Sequence, residues 1–515
     1  MSVNGMIDTV FEPVYSSPAV RTKVGLRLTA NERKGLLFIV DLILVNISLL
    51  AAVTIWNDFS PSWSSLLEHA KWFITLSILW SIAGVVLDVY NLARSASVTS
   101  IITSAGGAAL ASALVYIAIP WLTPPILHRI YVLGLVLFML SAILVWRVFY
   151  AWLLVQPTFR QRALILGAGA AACKLAHALG KSDHARGANP FRGTGYQIVG
   201  LVADQVEQSL AKTGVTDEAG HLVECVDEAS APGDNIIALG DAGQLVSLAR
   251  QYNVDEIIVA LDDERGLSVK AYESLLDCRE LGLQVNDLAT VYERLTGRLP
   301  IEYAQRDVRL ILGVADSPAS RLYAAVKRLV DVFLSLFGLL ALAQIIPWVA
   351  LANALWSPGP LFYKQQRVGK GGQPFALLKF RSMIPDAEKA SGAVWCKDKD
   401  NRITPVGLLL RKTRLDELPQ FINVLRGEMS IVGPRPERPY FVGQLSRVLP
   451  LYRARHAVNP GITGWAQVHY EYGNSIEDAR IKLEYDLYYV RHASLYMDLL
   501  TMLQTVRVVV GCMGQ

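Results

Sequence analysis

Four apolar runs lead the chain, at residues 36–56, 71–90, 98–122 and 130–155. Each is close to the roughly 20 residues that carry a helix across a bilayer. Helices of a soluble bundle would each show a polar stripe toward water, and these runs show little of one. The pattern therefore predicts a four-helix transmembrane bundle over residues 36–156. The tail before it, residues 1–35, is polar and carries Arg21, Lys23, Arg27, Arg33 and Lys34. It lacks the short apolar core and small-residue cleavage site of a signal peptide. Lys71 alone is basic in the loop after the first run, and Arg129 alone in the turn 120–129, whereas Arg147, Arg160 and Arg162 mark the end of the fourth. Positive residues prefer the cytoplasm, so both ends of the bundle are expected there.

From Arg162 the texture changes. Short strand-like runs at 162–166, 196–202, 235–238 and 256–261 alternate with helical stretches, which predicts a parallel, Rossmann-like α/β domain over residues 157–298. Gly167-Ala-Gly169-Ala-Ala-Ala172 follows the first strand and resembles a dinucleotide fingerprint with alanine in the third place; Asp204 ends the next strand, where a ribose carboxylate would sit. A lone fingerprint is weak, so the domain reads as structural or regulatory, with nucleotide binding as the alternative. An NAD-dependent dehydratase or epimerase would add a Tyr-x-x-x-Lys pair beside a cleaner glycine motif, and no convincing set is found.

A linker with Pro300 and Pro318, residues 299–320, leads to a fifth apolar run at 329–356. Arg321, Lys327 and Arg328 stand before it and Lys364, Arg367 and Lys370 after it. Two positive flanks predict a helix that dips into the membrane and returns. Pro347, which lacks an N–H, would bend it near residues 345–347, and Gln344 one turn earlier would bond a freed carbonyl.

Composition then narrows the class. Of 515 residues, 52% are hydrophobic and 18% charged, with a mean hydropathy of +0.32. These values exclude a disordered chain, a fibrous repeat and an ordinary soluble enzyme, and fit a membrane protein with sizeable soluble parts. The five cysteines are scattered without a C-x-x-C pair, so neither a disulfide framework nor a zinc site is expected. Net charge is only +4, yet residues 361–460 hold 18 Lys and Arg against 8 Asp and Glu. Such a block expects phosphates, nucleotides or lipid headgroups.

Three clusters in that block carry chemistry: Leu378-Lys379-Phe-Arg381-Ser-Met383, Arg411-Lys-Thr-Arg-Leu-Asp416-Glu417-Leu-Pro-Gln420, and Gly427-Glu-Met-Ser-Ile-Val-Gly-Pro-Arg435-Pro-Glu437. Adjacent carboxylates repel and want a divalent cation or a proton, while arginines grip phosphate oxygens with a two-pronged fork. Together these are the parts for phosphoryl transfer. An Asp-Glu pair alone would more simply be a surface ion pair.

The combination resembles the bacterial sugar transferases, the monotopic phosphoglycosyl transferases that start polysaccharide assembly on a lipid carrier. Lys327-Arg-Leu-Val-Asp331, Ser357-Pro-Gly-Pro360, Lys379-Phe-Arg-Ser-Met383, Leu415-Asp-Glu-Leu-Pro-Gln420, Asn423 through Pro436, Pro460-Gly-Ile-Thr-Gly-Trp-Ala-Gln-Val468 and Tyr485-Asp-Leu-Tyr-Tyr489 carry the likeness. It runs from Arg321 to the end of the chain, a mainly α catalytic domain (321–515) with a re-entrant helix at 329–356. The bundle and α/β domain ahead of it look like the family's long form.

The resemblance implies transfer of a hexose-1-phosphate from a UDP-hexose, glucose or galactose, to undecaprenyl phosphate, releasing UMP and beginning exopolysaccharide, O-antigen or capsule assembly. A UDP-N-acetylhexosamine donor and a non-catalytic nucleotide-sensing scaffold are the alternatives. It implies Asp416 as nucleophile, Glu417 as metal ligand or positioning base, Mg²⁺ on Asp416 and Glu417, and Lys379, Arg411 and Arg435 as phosphate grips, with Arg381 a weaker candidate. Membrane lipid is a further partner, a homodimer is expected, and nucleic acid is not. The site is expected on the cytoplasmic face of a bacterial inner membrane. Three places depart from the family's pattern: Ala343-Gln344 stands where it has Ser-Pro, with Pro347 three residues later; Asn459 replaces a basic residue; and His469-Tyr-Glu-Tyr472 follows Val468.

Overall fold

The computed structural model describes residues 30–56, 59–91, 101–125, 129–153, 161–167, 172, 175, 196–204, 238–260, 267–301, 318–385, 402–470, 473 and 475–510. The four expected apolar helices are present. They are α1 (Ala30–Trp56), α3 (Ala70–Val86), α4 (Gly107–Ile117, entered through a π-helical turn at Ile102–Gly106) and α5 (Arg129–Leu153), with a short α2 (Trp63–Glu68) before α3. Val45, Leu49, Leu76, Trp80, Tyr116, Leu135 and Met139 form their common core. Isoleucines 39, 43, 47, 74 and 78 face outward, an inversion that suits lipid. Glu32–Trp56, Ile130–Trp152 and Arg321–Trp356 are each long and apolar enough to cross a membrane; α3 and α4 are shorter.

The α/β domain is a five-stranded parallel sheet in the order β3-β2-β1-β4-β5: β1 (Gln161–Leu166), β2 (Tyr196–Ala203), β3 (Ala238–Asp241), β4 (Glu256–Val259) and β5 (Gln284–Asp287). β1 and β4 are near-continuous apolar runs because both faces are covered, as parallel sheets require. α6 (Leu245–Gln251) and α7 (Val269–Glu280) pack on it through Leu245, Leu248, Ala271 and Leu275. The third strand is described at 238–241; residues 235–237 of the expected strand lie outside the described residues. β5 escaped the sequence reading because Gln-Val-Asn-Asp at a sheet edge has almost no apolar signal.

One compact unit includes Gly195–Leu288 and the other includes both Arg33–Leu153 and Ala289–Gln515, so the segment after Leu288, expected to belong to the α/β domain up to 298, falls in the second. α8 (Leu288–Thr296) places Glu293 against Arg491 at 2.7 Å. Leu299 and Ile301, in the expected linker, are buried with Phe441, Leu445, Leu449, Tyr452, Leu483 and Leu487. The start of that segment is thus core, and its pattern was too short to show it.

The transferase domain begins with α9 (Pro318–Trp356), 39 residues in one helix with Pro347 inside it. The helix runs on through residues 345–347, where the sequence predicts a bend. Ile345, Ile346 and Val349 pack against Phe380 and Leu410, which brace the turn where the proline removes a hydrogen bond. Gln344 is exposed and bonds no carbonyl among the described residues. The hairpin β6 (Phe362–Val368)–β7 (Pro374–Phe380) follows, then α10 (Pro405–Lys412), α11 (Gln420–Arg426), β8 (Ser430–Val432), α12 (Pro439–Val448), β9 (Gly461–Thr463), α13 (Trp465–His469), α14 (Ile476–Arg491) and α15 (Leu495–Val510). β8 and β9 pair in parallel. Arg507 of α15 lies 3.7 Å from Asp88, just past α3.

Candidate active site

Three segments deliver the charged residues. β7 alternates, so Phe380 goes into the core with Leu342 and Leu410 while Lys379 faces the other way. After α10, Arg414 adopts a left-handed conformation (φ 56°). That is a backbone cost of about 1 kcal/mol for a residue with a Cβ. It swings the chain into a tight turn, Leu415–Glu417, that carries Asp416 and Glu417 inward. β8 leads through Gly433-Pro434 to Arg435.

These segments meet. Arg435 donates to Glu417 Oε1 at 2.7 Å, and Lys379 Nζ lies 3.5 Å from the same oxygen. Asp416 and Glu417 are 7% and 8% exposed. Arg411, one helical turn before the site, donates through Nε to Ser382 Oγ at 3.0 Å. Asp416 accepts no hydrogen bond and joins no ion pair among the described residues, although Lys379, Arg435 and Arg411 all act on its charge.

The two carboxylates are pushed in opposite directions. Burial raises the Asp416 carboxyl above its ordinary value and the Glu417 charge adds to that, outweighing Lys379, Arg435 and Arg411. Burial works on Glu417 too, but Arg435 and Lys379 overcome it, so Glu417 sits well below the usual carboxylate range. Burial also lowers Lys379, with Arg435 and Arg367 adding to the effect. The site thus holds one committed carboxylate and one uncommitted carboxylate. Among the described residues no cluster of three or more His, Cys, Asp or Glu is gathered for a metal. Two adjacent carboxylates, one unpartnered, fit a hard dication such as Mg²⁺ that takes its remaining oxygens from phosphate and water.

Other candidates lie elsewhere. Arg381 follows the end of β7, where the alternation stops. Its guanidinium donates to Asn353 Oδ1 at 2.6 Å and to the carbonyls of Ser357 and Pro358. It is tied to the Ser357–Pro360 turn rather than to the carboxylates. A Cβ on Gly359 would meet it at 2.6 Å, which explains that glycine. In the α/β domain, Gly167 (φ +135°) lies against the Ala260 carbonyl, 2.0 Å from where a Cβ would stand. Asp204 accepts from the Ser268 N–H at 2.9 Å and from its hydroxyl, and so holds the residue that caps α7. Gly169 lies outside the described residues. His469 packs tilted against Trp465 (3.8 Å between centroids) and stacks on Tyr485, and burial lowers its pKa to about 4, a packing role.

Asn423 went unnoticed as a site-building residue. Fully buried on α11, it accepts from the Leu378 N–H at 3.0 Å and donates to the Ala376 carbonyl at 2.8 Å, standing in for a missing strand beside β7. It thereby sets Lys379 relative to the Asp416 turn. An amide within the apolar stretch Gln-Phe-Ile-Asn-Val-Leu was the available signal, since buried amides need partners.

The chain is similar to known proteins over this region. The family model for bacterial sugar transferases matches residues 322–512. A UDP-N-acetylgalactosamine-undecaprenyl-phosphate N-acetylgalactosaminephosphotransferase of Aeromonas hydrophila is 38% identical over 260 residues, 50% of this chain and 60% of that protein. A UDP-glucose:undecaprenyl-phosphate glucose-1-phosphate transferase of Escherichia coli K12 is 36% identical over 271 residues, 52% of this chain and 57% of its own length. The exopolysaccharide production protein PSS of Rhizobium leguminosarum is 42% identical over 188 residues, 35% of this chain and 92% of that protein. With that match spanning the relative almost end to end, and with Lys379, Asp416, Glu417 and Arg435 inside the residues that the family model matches, the chain belongs to the bacterial sugar transferase family.

Proposed function

We propose that the chain is an undecaprenyl-phosphate hexose phosphotransferase that moves a sugar-1-phosphate from a UDP-sugar to undecaprenyl phosphate and releases UMP. One observation carries this reading: a buried carboxylate, Asp416, left without a partner beside Lys379, Arg411 and Arg435. A folded chain gains nothing from such an arrangement unless an incoming anion or cation completes it.

In the first half-reaction an Asp416 oxygen attacks the β-phosphorus of the donor. The bridging P–O bond breaks, UMP departs, and the sugar phosphate remains on the carboxylate. In the second, an oxygen of the lipid phosphate attacks the same phosphorus, the Asp416–P bond breaks and the free carboxylate returns. Splitting the transfer lets one site serve a water-soluble donor and a membrane-bound acceptor in turn. Arg435, with a third of its side chain exposed, would present its fork to equatorial phosphate oxygens, and Lys379 adds a point charge. Glu417 keeps both cations in place between turnovers. Mg²⁺ held by Asp416 and Glu417 would screen the diphosphate so that an anion can approach it.

The donor sugar is a glucose- or galactose-type hexose on the sequence reading; the Aeromonas relative's name favours an N-acetylhexosamine as the second reading. Full-length protein in membranes, given undecaprenyl phosphate and a panel of UDP-sugars, decides by UMP release. No release with any of them would refute the assignment.

We further infer that α9 is embedded from the cytoplasmic face of a bacterial inner membrane and does not cross it. The same domain holds it near both ends, through Arg328 to the Val424 and Leu425 carbonyls and through Asn353 to Gly359 and Arg381. Meanwhile Leu329, Phe333, Leu336, Leu340, Trp348 and Leu355 stay exposed on another face. Cysteines placed at Ser320 and Ser357, in a background without the native ones, should both react only from the cytoplasmic side.

A further inference from the structure

Residues at the start of α9 read from sequence as a positive flank facing lipid headgroups. The structure turns them inward instead. Lys327 and Asp331 are four apart and share a face of the helix. β8 has a strand partner on one edge only: the Ser430 and Gly433 N–H groups point to the β9 side. On the other edge, the Ile431 N–H donates to Asp331 Oδ1 at 2.9 Å and the Val432 carbonyl accepts from Lys327 Nζ at 3.0 Å. Ser430 Oγ also donates to Asp331, at 3.0 Å. Two side chains of a membrane helix therefore replace a missing strand.

The remaining donors of Lys327 are taken up by Asp498 Oδ2 at 2.9 Å and the Tyr489 hydroxyl at 3.2 Å, so all three ammonium hydrogens have acceptors. Arg328 spans the last turn of α11, donating to the Val424 carbonyl at 2.6 Å and the Leu425 carbonyl at 2.7 Å. Helix C-terminal carbonyls lack partners within their own helix, so this contact fixes the end of α11. The consequence lies in what these elements carry. α11 starts three residues after Glu417, and β8 ends three residues before Arg435.

We propose that Lys327, Arg328 and Asp331 are positioning residues. They hold α11 and β8 on one rigid helix and so set the spacing across which Arg435 and Glu417 meet. The residues act through Glu417 and Arg435 and do not touch substrate. The activity arm of the test rests on the phosphotransferase reading above; the exchange arm does not.

The test uses full-length protein in nanodiscs with Lys327→Arg and Asp331→Asn. Lys327→Arg keeps the positive flank but puts a planar fork where three acceptors surround a point donor. Asp331→Asn is nearly isosteric and retains one acceptor oxygen. Amide exchange is read first. Residues 430–436 should exchange at least tenfold faster in both variants, with membrane association and melting temperature close to wild type. UMP release should then fall about thirtyfold in kcat for Lys327→Arg and about tenfold for Asp331→Asn. The double variant Lys327→Arg/Arg435→Lys should lose less than the product of its two single losses, because both disturb one contact. Unchanged exchange at residues 430–436, or wild-type kcat in Lys327→Arg, or full multiplicativity with Arg435→Lys, overturns the proposal. If the wild type releases no UMP from any donor, the functional reading fails and exchange alone decides the positioning role. If Lys327→Arg does not fold, the same readouts on Asp331→Asn decide.

Discussion

At the end of β1, Gly167 lies beneath the Ala260 carbonyl and Asp204 commits both carboxylate oxygens to Ser268. At the turn after α10, Asp416 has cations around it and no partner. Both places look from sequence like sites for phosphate: one offers a glycine fingerprint with a carboxylate, the other adjacent carboxylates among arginines. The first has used its polar groups to close the fold. The second keeps a carboxylate only 7% exposed that accepts no hydrogen bond among the described residues, while Lys379, Arg435 and Arg411 act on its charge. A carboxylate raised by burial and by a neighbouring charge, held among cations, is the kind of perturbed group that marks a functional site.

The largest expected effect falls on the open site. Asp416→Asn should reduce UMP release at least a thousandfold, about 4 kcal/mol in the barrier. Its melting temperature should stay level or rise, because the amide removes a charge that burial disfavours. Near-normal turnover in this variant would remove Asp416 from the mechanism. Arg435→Lys comes next. A point charge cannot reproduce the fork, and kcat/KM should fall about a hundredfold; a loss under threefold would mean that Glu417 and the phosphates do not depend on it.

The pH profile sharpens the contrast between the two carboxylates. Asp416 must be ionised to attack, and its pKa is raised, so activity is lost on acidification sooner than for an ordinary aspartate. Glu417, held low, stays ionised throughout. The acid limb of kcat/KM, a macroscopic property of the pair, should therefore lie above the usual aspartate range. A limb at or below that range would contradict the burial argument.

Effects in the α/β domain should be on folding alone. Gly167→Val puts a branched side chain at φ +135° against a carbonyl and should destabilise that domain by at least about 2 kcal/mol. Asp204→Ala removes both acceptors of Ser268, the residue that caps α7, and should cost about 1 kcal/mol. Neither should change UMP release per folded molecule. A tightly held nucleotide in the purified protein, lost on Asp204→Ala, would break the comparison.

What was legible in the sequence follows the strength of local signals. The apolar helices and the strands β1, β2 and β4 announced themselves because each buries long apolar runs. β5 and the α8–Ile301 segment did not, since a polar edge strand and a few buried residues after a helix have no period to read. Lys379, Asp416, Glu417 and Arg435 were named through the resemblance to the sugar transferases, and the structure brings Lys379 and Arg435 onto Glu417 beside Asp416. Arg381 was already the weaker candidate, and the physical reason appears only in the structure, where β7 ends at Phe380 and Arg381 turns to Asn353 and the Ser357 carbonyl. The inward roles of Lys327 and Asp331 were hidden for a similar reason: charge at a helix end looks the same whether it faces lipid or a strand edge.

The central claim is that Asp416 carries the sugar phosphate between donor and lipid. Wild-type protein incubated with a UDP-sugar labelled at the β-phosphate, without undecaprenyl phosphate, and quenched in acid should retain label on the peptide containing Asp416. Hydroxylamine should remove that label, and adding the lipid phosphate before the quench should discharge it. Absence of retained label from a protein that turns over, or equal labelling of Asp416→Asn, would contradict the account.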